Sequence, residues 1–135
     1  MNFELACLED FNEIENLYWD LIDKSKEEPS FPDWKKGVHP SADFLMAGIV
    51  QKELFVLRDV RYEYRGMGLA TQFVKNLISY AKLENIEAIH LDVIDKNTLA
   101  DKLYIKVGFK YISTENIFYE VVGNRQFRMY EYVIE

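Results

Sequence analysis

Apolar residues change their spacing several times along the chain, and each change marks a new element. Phe3 to Leu8 alternate loosely and read as a first strand. From Asp10 to about Lys26, Phe11, Ile14, Leu17, Tyr18, Leu21 and Ile22 recur at helical spacing, with Asp10 as N-cap candidate. Pro29 and Pro32 turn Lys26–Pro32 into a loop. Ser41, after Pro40, is the N-cap candidate of a second helix running to about Val50 and burying Phe44, Leu45 and Ile49. Glu53 to Val60 reads as a strand. An amphipathic helix follows, with Leu69, Phe73 and Leu77 on one line and Ala70, Val74, Ile78 and Ala81 beside it. Ala88 to Ile94 is the clearest strand, and Thr98 to Val107 is helical, closed by Gly108 at a C′ position. Phe109–Thr114 and Gln126–Ile134 read as two closing strands. The order β-α-α-β-α-β-α-β-β predicts mixed α/β layers rather than an all-α or all-β fold.

Composition narrows the class of protein. A chain of 135 residues fits one domain, residues 1–135, and nine Tyr, nine Phe and two Trp give it ample material for a core. One cysteine, Cys7, excludes an intramolecular disulfide framework and a Cys-rich zinc site, and it reads as a small buried apolar residue. No apolar run reaches the roughly 20 residues that span a bilayer. The start, Met1-Asn2-Phe3-Glu4, lacks a basic region followed by an apolar one, so the expected location is the cytoplasm. The net charge of −7 offers no field for non-specific nucleic-acid binding. A polyanionic ligand would need a local pocket of backbone amides.

Such a pocket has a candidate. Arg65-Gly66-Met67-Gly68-Leu69-Ala70 stands between a strand and a helix, where glycines permit a tight turn and aim successive N–H groups at a phosphate. The bland alternative is a turn that only packs helix on sheet. A Walker loop is excluded because no Gly-Lys-Ser/Thr occurs. A dinucleotide-binding fingerprint fits poorly: Thr71 occupies the place of the third glycine, and too little chain follows for a doubly wound sheet.

Val60-Arg61-Tyr62-Glu63-Tyr64-Arg65-Gly66-Met67-Gly68-Leu69-Ala70 resembles motif A of the GNAT N-acetyltransferase superfamily, R/Q-x-x-G-x-G/A, through Arg65, Gly68 and Ala70. Downstream, Leu91-Asp92-Val93, Asn97, Ala100 and Leu103-Tyr104-Ile105-Lys106-Val107-Gly108-Phe109 resemble the family's "N…A…LYxKxGF" stretch in the right order. The resemblance implies an acyl-CoA N-acyltransferase fold: a mixed, mostly antiparallel sheet flanked by helices. It also implies acetyl-CoA as donor and an amine as acceptor. Val60 and Arg61 would pair their backbone with the pantetheine arm, and Arg65, Gly66, Met67, Gly68, Leu69, Ala70 and Thr71 would hold the pyrophosphate. Asn97 would bond the pantetheine or the adjacent backbone. Tyr104 stands where the family commonly keeps the tyrosine that protonates the departing thiolate; by spacing alone it equally packs one helix face. Asp59, Glu63, His39, His90 and Asp92 all stand as candidates for general base, as does ordered water.

The chain departs from the family in one respect. Only Lys52 to Val60 separates the second helix from the glycine loop, which implies a reduced N-terminal sheet lacking two central strands beside the acceptor site. The exposed edge that results would be covered by the first strand or by a second copy in a homodimer. Two functions follow: an N-acetyltransferase acting on a primary amine of a small molecule or protein, or a non-enzymatic CoA- or partner-binding module. No metal, nucleic acid or membrane partner is expected.

Overall fold

The structure is a computed structural model and describes residues 2–27, 33–58, 68–120 and 123–135. The elements are β1 (Asn2–Leu5), a 3-10 turn (Leu8–Asp10), α1 (Phe11–Ser25), α2 (Ala42–Val50), β2 (Phe55–Arg58), α3 (Leu69–Leu83), β3 (Ala88–Ile94), α4 (Thr98–Val107), β4 (Lys110–Tyr119) and β5 (Gly123–Val133). Their order is the one the apolar spacing predicts. They divide into two compact units, the first holding β1 to β2 and the second α3 to β5.

In the first unit β1 runs antiparallel to β2, with Phe3 opposite Leu57 and Leu5 opposite Phe55. The Phe3 and Phe55 rings stack at 5.0 Å. The first strand thus covers an edge of β2. Between α2 and α3 the described residues hold this one four-residue strand. Ala6, Ile14, Leu45 and Ile49 form the core, with Phe11, Tyr18, Leu54 and Val56 packed against it. Full burial of Leu45 and Ile49 contributes about 1.5–3 kcal/mol per side chain.

Ser41 caps α2 as expected, its Oγ accepting the Phe44 N–H at 3.1 Å. Three expectations fail here. Phe44 is exposed, because the one-turn stripe through Leu45 and Ile49 already meets α1 and leaves Phe44 outside it. Asp10 is not a side-chain cap for α1. Its carboxylate turns back to accept the Cys7 N–H at 2.9 Å and Sγ at 3.1 Å, and the Arg58 guanidinium at 2.7 Å. Those donors, Arg58 first, hold Asp10 well below the usual carboxylate range. Cys7 is exposed rather than buried, drawn to Asp10, and that hydrogen bond pushes its thiol up.

In the second unit the strand order is β3-β5-β4, antiparallel throughout. Ile89, Leu91 and Val93 point to the side of α3 and α4, into a core of Val74, Val93, Phe109 and Tyr130. By strand alternation His90 and Asp92 face the other way. β4 and β5 extend far beyond the predicted strands. The stretch between the two predicted strands belongs largely to the hairpin, with Asn116 opposite Gln126 and Tyr119 opposite Gly123. The outer positions Glu115, Asn116 and Phe118 are exposed, so alternation is weak there and only the ladder itself defines the strand.

Candidate active site

The second unit carries the described part of the site. The predicted residues Val60, Arg61, Arg65, Gly66 and Met67, with the candidate bases Asp59 and Glu63, lie outside the described residues. Gly68 is left-handed, with φ +77° and ψ 22°, and immediately precedes α3. A Cβ there would meet nothing within 4 Å, so the glycine is demanded by backbone conformation rather than by space. The first turn of α3 contains no acidic residue and Gly68 supplies no side-chain cap. The amides of Leu69, Ala70 and Thr71 therefore begin a four-turn helix with the positive end of its dipole toward the loop.

α4 is set by its two ends. Asn97 Oδ1 accepts the Ala100 N–H at 3.2 Å, which makes Asn97 the helix N-cap. Gly108 closes it in the left-handed region, φ +115°, its N–H and that of Phe109 both reaching the Tyr104 carbonyl. Between them Asp101 is buried, accepting from Arg128 at 2.7 Å and from the Tyr130 hydroxyl at 2.6 Å. Burial and the bond to Asp101 push the Tyr130 phenol up to about 12. This triad ties α4 to β5. An acid on the apolar face of α4, between Ala100 and Tyr104, was its signal in the sequence.

Tyr104 is half-buried, its ring edge-on to Phe109 at 5.5 Å. Burial, and then the charge of Asp92, raise its phenol above the ordinary value, so it carries its proton at neutral pH. The candidate bases separate. His90 is engaged with Glu131 on β5 at 2.6 Å. Asp92 accepts the Tyr119 hydroxyl at 2.9 Å and acts electrostatically on Tyr104. His39 belongs to the first unit, where its ring contacts Trp34 and Phe44 at 5.3 and 5.4 Å. Tyr119 went unmarked in the sequence because the strand that carries it is scarcely patterned. Among the described residues no cluster of His, Cys, Asp or Glu could hold a metal, and no helix is long and apolar enough to cross a membrane.

A dipole-ended helix after a glycine turn, beside an antiparallel sheet with a tyrosine on the next helix, defines an acetyltransferase fold of GNAT type. The acetyltransferase (GNAT) family model matches residues 59–109. Solved structures agree along nearly the whole chain. An N-acetyltransferase from Staphylococcus aureus Mu50 superposes with a TM-score of 0.71 at 20% identity, covering 99% of this chain and 98% of its own. A ribosomal-protein-alanine N-acetyltransferase from Brucella melitensis reaches 0.72 at 10% identity over 98% and 99%. The yncA protein of Salmonella typhimurium, solved with its cofactor acetyl-CoA, reaches 0.72 at 12% identity over 100% and 94%. The uncharacterized N-acetyltransferase YobR of Bacillus subtilis is 41% identical over 54 residues, 40% of this chain, and this chain spans 22% of YobR. The chain thus has the GNAT acetyltransferase fold, and its residues 59–109 match that family's model.

Proposed function

We propose that the protein is an acetyl-CoA-dependent N-acetyltransferase acting on a primary amine of a small molecule or a protein, with residues 1–135 working as one GNAT-like domain. The observation that carries this is a half-buried phenol, Tyr104, on the capped helix α4, its ring edge-on to Phe109 at 5.5 Å. Similarity to the GNAT family model over residues 59–109 supplies the donor. The α3 N-terminus fits its pyrophosphate: an open left-handed Gly68, no acid in the first turn, and amides from Leu69 to Thr71. Arg65, Gly66 and Met67 complete that cradle in this reading, and the backbone of Val60 and Arg61 holds the pantetheine. Asn97 serves by fixing the start of α4 and with it Tyr104.

Bound acetyl-CoA supplies an acyl thioester. Ordered water takes the proton that the attacking amine loses as its C–N bond forms, and Tyr104 gives a proton to sulfur as the C–S bond breaks. A raised phenol is a reluctant acid against a thiol near 8.5. The same desolvation raises the thiol too, which keeps the pair within reach of one another.

The test is thiol release from acetyl-CoA with a panel of amines, alongside a thermal shift. Tyr104→Phe should lower kcat by about 10²-fold or more while leaving the acetyl-CoA Kd unchanged. Unchanged turnover would remove Tyr104 from the chemistry. Binding of acetyl-CoA without turnover on any amine would favour the binding-module reading, which the single described strand between α2 and α3 also suits. A homodimer covering the far side of β2 is part of the proposal, and a strictly monomeric species in light scattering at high concentration would remove it.

A further inference from the structure

We infer that Tyr132 is a positioning residue that holds the Tyr104 phenol in place through Phe109; the inference rests on the reading of Tyr104 as the proton donor above. Phe109 touches Tyr104 twice. Its N–H donates to the Tyr104 carbonyl at 3.0 Å, and its ring, 3% exposed, meets the Tyr104 ring edge-on at 5.5 Å. Next in the row stands Tyr132 of β5, paired with Ile89 of β3, its ring tilted against Phe109 at 5.3 Å. Gly108 lets this row close. A Cβ at Gly108 would lie 3.2 Å from Tyr132 Cε2, so this glycine is required for space as well as for its φ of +115°.

The row matters because Tyr104 is half-buried. A phenol with an open side samples several rotamers unless packing selects one, and a proton donor must be aligned with the departing sulfur. The Tyr104 backbone is already fixed by the left-handed C-terminal cap of α4, so what remains to be set is the ring. Phe109 belongs to the buried cluster with Val74, Val93 and Tyr130, and both Tyr104 and Tyr132 pack against that cluster. Edge-on and tilted ring pairs are the arrangements aromatic quadrupoles favour, so each ring in the row restricts the next. Without the Tyr132 ring, Phe109 loses a wall and Tyr104 loses its fixed neighbour. The effect belongs to the ring of Tyr132 and transfers no proton.

Tyr132→Leu removes the ring and Tyr132→Phe keeps it. Thiol release from acetyl-CoA, read with the most active amine of the panel, should fall about tenfold in kcat for Tyr132→Leu with the acetyl-CoA Kd unchanged. Tyr132→Phe should match wild type; a loss equal to that of Tyr132→Leu would assign the effect to the hydroxyl and overturn the inference. The deciding measurement is Tyr132→Leu in a Tyr104→Phe background, where it should have no further effect. An equal loss in both backgrounds would give Tyr132 a general packing role and overturn the inference. Gly108→Asn is a second route, because Asn tolerates the left-handed backbone while its Cβ presses on the Tyr132 ring, and kcat should fall in the same way. Unchanged kcat in Tyr132→Leu would overturn the inference, as would unchanged kcat in Gly108→Asn if Tyr132→Leu does not fold. Full activity of Tyr104→Phe would overturn it as well, leaving acetyl transfer itself intact. A wild-type protein that acetylates no amine overturns the acetyltransferase reading and this inference together.

Discussion

At the scale of single residues, the determining contacts are carboxylates that have found donors inside the protein. Asp101 is the most constrained of them, 5% exposed and bonded to both Arg128 and Tyr130. A buried charge costs heavily unless each lone pair meets a donor, so the triad is stable only when complete. Tyr130→Phe leaves one carboxylate oxygen without its donor and should cost about 1–3 kcal/mol in denaturant unfolding. The pH dependence has a definite sign. The folded phenol titrates near 12 against about 10 unfolded, so its contribution is complete below pH 10 and is lost as pH rises towards 12. Wild type should therefore weaken across that window and Tyr130→Phe should not follow the same curve. Parallel alkaline unfolding of the two would refute the account. Asp101 had its signal in the sequence as an acid on the apolar face of α4, but its partners had none, because Arg128 and Tyr130 meet it only once α4 and β5 have come together.

Elements were legible where local chemistry decides them. α4 was read with its true limits because Asn97 and Gly108 specify its ends without help from tertiary contacts. Ser41 did the same for α2. Asp10 misled because an acid before a helix is also a good partner for an arginine far along the chain, and Arg58 won it. The β4–β5 hairpin was under-read for the reason sheets often are: its outer half alternates weakly, and pairing rather than propensity makes the strand. Asn97 lets cap and cofactor roles be told apart. Asn97→Ala should cost about 1 kcal/mol of stability, and Asn97→Ser, which keeps a capping oxygen, should restore most of it. If the residue also bonds the pantetheine, acetyl-CoA affinity falls in both variants. If it acts only by holding α4, affinity and stability recover together in Asn97→Ser. A melting temperature unmoved by Asn97→Ala would show that α4 does not depend on its cap.

At the scale of the whole molecule, the fold was legible because nine elements in a fixed order, with a glycine turn before the third helix, admit few topologies. No pattern in the sequence marked an acceptor site. Charge links the two. The chain bears −7 overall, yet its proposed donor is itself polyanionic. Long-range repulsion and short-range attraction to α3 amides then act on different observables. Approach is governed by net charge over distances of about a Debye length, roughly 30 Å at 0.01 M and 8 Å at 0.15 M salt. If the proposed α3 cradle holds the pyrophosphate, the bound state depends on amides and a helix dipole in contact with phosphate, which salt screens far less. Stopped-flow association of acetyl-CoA should therefore speed up as salt rises between those concentrations, while its dissociation rate changes little. Arg61 and Arg65 make the opposite outcome informative: an association rate that falls with salt would mean that these two arginines dominate the field that acetyl-CoA meets. The pyrophosphate would then be held mainly by side-chain charge, and charge-neutral Arg65→Gln would weaken binding more than any change at Gly68.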